Sequence, residues 1–117
     1  MSLHDAAFDG DLEALRDWIA RGDDVDARNE SGWTPLMYAC GMGRLECAQA
    51  LIDAGAAVDM VNNNGWTALM LACRSGHLEC AQALIDAHAD LELTNRGGQN
   101  ALMIACQRQS SSSSAGK

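Results

Sequence analysis

Apolar residues recur along the chain in two alternating helical spacings. Leu36, Met37 and Cys40 form an i, i+1, i+4 stripe, and Leu69, Met70 and Cys73 repeat it. Between them, Leu45, Cys47, Ala48, Leu51 and Ile52 form a second stripe, matched by Leu78, Cys80, Ala81, Leu84 and Ile85. The spacing predicts pairs of short helices. Thr34, Thr67 and Asn100 precede the first helix of a pair, where a side-chain oxygen satisfies an orphan amide. Pro35 follows at the first helical position, where its missing N–H costs nothing. Ser2 and Asp5 read as the cap of an earlier helix, shifted by one residue. Gly43 and Gly76 close first helices, and Gly22 and Gly55 follow second helices, where a left-handed residue is wanted. His88 takes the third place in that last column, at a cost of about 1 kcal/mol.

The pattern has a period of 33. Residues 32–64 and 65–97 agree at 20 of 33 positions when overlaid. A further shift finds Gly98-Gln99-Asn100-Ala101-Leu102-Met103-Ile104-Ala105-Cys106, and a backward shift sets Gly10-Asp11-Leu12-Glu13 beneath Gly43-Arg44-Leu45-Glu46. The expected division is a single domain over 1–109, with units at about 1–31, 32–64 and 65–97 and a half unit at 98–109. Residues 110–117 read as a Ser-rich disordered tail. A pair of short helices cannot bury its own apolar face, so the units must stack. The expected fold class is all-α, a solenoid of helix-turn-helix units with short hairpin-like loops.

The residues Gly-Trp-Thr-Pro-Leu-Met-x-Ala-Cys at this period resemble the ankyrin repeat, over roughly residues 2–109. The chain departs from the family pattern in places. Met37, Met70 and Met103 stand where the family has histidine, only His4 keeps it, and Ala68 and Ala101 replace proline. The resemblance implies a protein-interaction module without catalysis, whose partner docks on a concave side of hairpin tips and first-helix surface. By periodicity, positions 38, 41 and 42 lie opposite the buried stripe, which agrees with that side.

Stacking the columns gives the expected contact surface. The first helices contribute Tyr38, Leu71 and Ile104 from one column, with Arg74, Met42 and Arg108 from the next two. The hairpins contribute Arg28, Glu30 and Trp33, then Val61, Asn63 and Trp66, then Arg96. Tyr38, Leu71 and Ile104 form an apolar row on a face that the repeat leaves open, and Trp and Tyr are frequent hot-spot residues. Trp33 and Trp66 have a second reading, in which they lean on the adjacent hairpin and tighten the stack.

Charge narrows the choice of partner. With 16 acidic against 8 basic side chains, the net charge of −8 opposes the basic footprint of a nucleic-acid binder. No apolar run approaches the roughly 18–20 residues of a membrane-spanning helix, so neither nucleic acid nor membrane is an expected partner. Residues 1–31 hold nine acids and three arginines, while Arg74, Arg96 and Arg108 lie further on. That asymmetry reads either as a graded groove that steers a partner or as a solvated acidic cap.

Five cysteines and an N-terminus unlike a signal peptide place the expected location in the cytoplasm or nucleus, not outside the cell. The cysteines fall on the apolar stripes at a C-x6-C spacing unlike a structural zinc site, so they read as core residues and no metal or cofactor is expected. No phosphate loop, nucleophile elbow or HExxH is present, and no enzyme is expected. The half unit leaves Leu102, Met103 and Cys106 without a covering second helix. A longer parent protein, fraying, or a weak homodimer through that end each account for it. Two alternatives to the interaction module therefore remain, a self-associating structural fragment and an engineered binding scaffold.

Overall fold

The computed structural model describes residues 2–107. Arg108 and the expected tail at 110–117 lie outside the described residues. Six helices are fully bounded: α1 (Leu3–Asp9), α2 (Leu12–Ala20), α3 (Pro35–Gly41), α4 (Leu45–Asp53), α5 (Ala68–Ser75) and α6 (Leu78–Asp86). A further helical stretch covers residues 101–107. The first helix of each unit starts where the capping pattern places it. Thr34 Oγ1 accepts the Met37 amide at 3.3 Å, Thr67 Oγ1 accepts that of Met70 at 3.2 Å, and Asn100 Oδ1 accepts that of Met103 at 2.9 Å. Ser2 and Asp5 cap α1 reciprocally, with the Ser2 amide donating to Asp5 Oδ2 at 3.1 Å and the Asp5 amide to Ser2 Oγ at 3.3 Å.

The helices form two layers. Helices α1, α3 and α5 pack side by side as an inner row, and α2, α4 and α6 form an outer row behind them. Each helix also packs on its own unit partner. The long axis is 51 Å against 25 Å for the other two, the shape of a stack. Leu3, Leu36 and Leu69 occupy one column at 3%, 1% and 2% exposure, and Leu15, Leu51 and Leu84 line the layer between rows. Fully burying such a side chain is worth about 1.5–3 kcal/mol.

Between the helix pairs, the chain turns through three copies of one hairpin. In each, an Asn closes the loop through both backbone and side chain. The Asn29 amide donates to the Trp33 carbonyl at 3.0 Å, while Asn29 Oδ1 accepts the amides of Ser31 and Trp33 at 3.0 and 2.9 Å. Asn62 and Asn95 do the same, Asn62 with Asn64 and Trp66, Asn95 with Gly97 and Gln99. Gly32, Gly65 and Gly98 complete these turns with φ of 80°, 79° and 76°. Backbone bonds then link successive tips, from the Asn63 amide to the Ser31 carbonyl at 3.0 Å and from the Arg96 amide to the Asn64 carbonyl at 3.1 Å.

Two aspartates one period apart also tie unit to unit. Asp26 Oδ1 accepts the Ala57 amide and Asp59 Oδ1 accepts the Asp90 amide, each at 2.8 Å. The acidic run at Asp23, Asp24 and Asp26 thus contains a structural acceptor. His88 adopts φ of 69°, the one non-glycine with positive φ among the described residues.

Candidate functional site

The inner row is buried more completely than helical periodicity suggests. Leu71 is 3% exposed and Ile104 is 4% exposed, both inside the core. The expectation that Tyr38, Leu71 and Ile104 form an exposed apolar row is therefore corrected. A first helix in this stack packs on its own second helix and on first helices at both sides, so it has two buried flanks and not one. Gly41 lies beside Leu71, where a Cβ would sit at an ordinary contact distance of 3.7 Å from that of the leucine. Tyr38, nearer the start of the stack, keeps partial exposure.

The neighbouring column faces outward instead. Phe8 is 44% exposed and Arg74 and Gln107 are also exposed, one residue per unit, with Gly41 between. Arg74 and Gln107 each meet the hairpin residue eight positions earlier. The Arg74 guanidinium lies 5.0 Å from the Trp66 ring centroid, and the Gln99 amide donates to Gln107 Oε1 at 2.9 Å. In the unit with Gly41, Trp33 takes that space and its ring lies 4.8 Å from Tyr38 at 31°. Both tryptophans thus pack against the first helix of their own unit, and each remains half-buried.

The other expected contact residues, among those described, are all exposed. Met42 and Val61 are exposed at 41% and 36%, and Val61 bridges Thr67 across its hairpin. Arg28 Nε donates to the Gly32 carbonyl at 3.3 Å, holding its side chain against its own turn. The Glu30 carbonyl accepts the Asn63 side-chain amide at 3.0 Å, so Asn63 serves the link between tips. Glu30, Asn63 and Arg96 are exposed.

The sharpest feature of this side is an aromatic notch at the first two units. His4 and Phe8 come from α1 at i, i+4 spacing and Tyr38 from α3, and Asn29 reaches in from the hairpin. The Tyr38 ring meets Phe8 edge-on at 5.9 Å and His4 edge-on at 6.0 Å. The Asn29 side-chain amide donates to the Tyr38 hydroxyl at 2.8 Å, fixing the phenol. His4 Nε2 lies 2.9 Å from the Ala27 carbonyl and 3.0 Å from that of Trp33. Both neighbours are acceptors, so this nitrogen carries the proton. Ser2 and Asp5 complete the wall of an open cleft of about 440 Å³. Sequence placed Phe8 in the outward-facing column of Gly41, Arg74 and Gln107, whereas Asn29 was not singled out. The recurring Asn-x-x-Gly at 29, 62 and 95 was the available signal for the hairpin residue.

The thiols behave as core groups with one local pairing. Cys40 and Cys80, which belong to different columns, meet across stacked units and share a hydrogen bond. That bond and then burial hold the Cys40 thiol well above its ordinary value, while the Cys80 thiolate, receiving the bond, is favoured and its value lowered. Burial raises the thiols of Cys47 and Cys73. Cys106 is exposed.

Comparison with known proteins agrees with this architecture. Protein phosphatase 1 regulatory subunit 27 of Homo sapiens is 43% identical over 42 residues, 36% of this chain, and its Mus musculus counterpart matches to the same extent. The alignment spans 27% of the length of either relative. A family model for ankyrin repeats matches residues 3–95 in three copies, and the chain belongs to the ankyrin repeat family.

Proposed function

We propose that the chain is a non-catalytic module that binds a protein or peptide along the side built from Phe8, Trp33, Tyr38, Met42, Val61 and Trp66. Ankyrin repeats generally mediate protein–protein interaction, and the convergence of Phe8, Trp33 and Tyr38 at one place carries the assignment of the surface. Three of the chain's five aromatic side chains meet there, and exposed aromatic area with a fixed geometry is what hot spots are made of. The relatives' names make protein phosphatase 1 the first partner to test, and the free thiols suit a cytoplasmic or nuclear setting. The test is capture of purified phosphatase 1 by the native chain and by a Phe8→Ala, Met42→Ala double variant. Both residues are exposed, so the variant keeps its fold by circular dichroism. Loss of capture supports this face as the site. Equal capture moves the site elsewhere, and no capture removes phosphatase 1 from consideration.

A second reading, self-association, rests on the 101–107 helix. Leu102 is 70% and Met103 49% exposed, against 1% for Leu36 and Met37 in the same columns. Leu78 at 75% and Ile85 at 42% are further exposed apolar side chains on α6. A weak homodimer would cover the 101–107 helix. Sedimentation velocity over a concentration series tests this, and a constant monomer mass rejects it.

A further inference from the structure

We infer that the notch between α1 and α3 receives an arginine side chain of the partner. The inference rests on the binding side proposed above and names the chemistry at its most structured point. The walls combine what a guanidinium requires. Phe8 and Tyr38 offer aromatic surface, and Phe8 is 44% exposed beside the 440 Å³ cleft. A planar guanidinium stacks on such rings and is desolvated at lower cost than an ammonium. Asp5 supplies the carboxylate from the same helix face, three residues before Phe8. Its Oδ2 is held in place by the Ser2 amide at 3.1 Å and the Ser2 hydroxyl at 3.2 Å. A carboxylate has about four lone-pair sites, and these two bonds orient the group without filling it. The notch is also rigid, since Asn29 anchors the Tyr38 hydroxyl at 2.8 Å and His4 is tied to the Ala27 and Trp33 carbonyls.

The charge around the notch selects the sign of its ligand. Asp9 and Glu30 are exposed near by, and residues 1–31 carry nine acids against three arginines. One further cation bonds to a notch residue, Arg44, whose Nε donates to the Phe8 backbone carbonyl at 3.2 Å. An anionic side chain is repelled there. A purely apolar one leaves the Asp5 carboxylate to lose solvent without a partner. Lysine gains the charge attraction but lacks the flat, forked donor that meets ring and carboxylate together.

The probe is N-acetyl-arginine amide, titrated into the full chain and read by NMR shifts of the Phe8, Tyr38 and His4 rings, with N-acetyl-citrulline amide as the uncharged isostere. The expected result is saturable shifts confined to these rings, weaker by about fivefold or more with citrulline. Phe8→Leu keeps an apolar side chain without the ring and weakens binding roughly two- to fivefold. Asp5→Asn retains an acceptor for the Ser2 cap and weakens it by a similar factor. Absence of saturation up to the solubility of the probe, or equal binding of citrulline, overturns the proposal. The probe needs no partner protein, so a notch that binds it in a chain that captures nothing sinks the phosphatase assignment and not this one.

Discussion

At the residue scale, one position stands against its own conformation. His88 holds φ of 69° where Gly22 and Gly55 reach 90° without a side chain. A left-handed non-glycine costs roughly 1–2 kcal/mol, and a glycine in the unfolded chain returns about 0.4–1 kcal/mol of that in entropy. His88→Gly should therefore stabilise the chain by about 0.5–1 kcal/mol, seen as a higher urea midpoint with unchanged slope. The thiols make a second prediction. Burial raises Cys47 and Cys73, so the folded value exceeds the unfolded one. Their stability contribution is complete below the ordinary thiol value of about 8.5 and is lost as pH climbs through the raised folded value. The urea midpoint should hold between about pH 7 and 8 and fall above about pH 9. Iodoacetamide should modify exposed Cys106 first and reach Cys40, Cys47 and Cys80 only on unfolding.

At the scale of elements, the caps and hairpins were legible and the ties between units were not. Thr34, Thr67 and Asn100 accept the amides that their positions in the repeat assign them. These are bonds across three residues, which local sequence dictates. Asp26 to Ala57 spans 31 residues, and nothing within either segment announces it. Asp26→Ala should cost about 0.5–1.5 kcal/mol, the net worth of one hydrogen bond. Hydrogen exchange at the Ala57 amide should accelerate by more than exchange at the unlinked amides of α4.

At the scale of the molecule, position in the stack decides what a residue is worth. Leu36 and Leu102 share a column and a letter, yet one is 1% and the other 70% exposed. Leu36→Ala should cost about 2–5 kcal/mol through the cavity it leaves, while Leu102→Ala should stay within about 0.5 kcal/mol. Paired urea titrations of the two variants check both figures. A loss above about 1 kcal/mol for Leu102→Ala in the monomer would mean that the 101–107 helix is covered in solution.

The sequence by itself determined the period, the helix starts, the turn glycines and the family resemblance, because each depends on residues within about one unit. The proposed binding side, on hairpin tips and first helices, comes from what that resemblance implies. Periodicity set the column of Phe8 and Arg74 outward, but the burial of the neighbouring column was decided only by tertiary structure. Helical periodicity counts one buried stripe, whereas stacking buries two flanks, so Leu71 and Ile104 went inside and Phe8 and Arg74 stayed out. The aromatic notch likewise required α1, the following hairpin and α3 to be brought together, because its rings come from positions 4, 8 and 38.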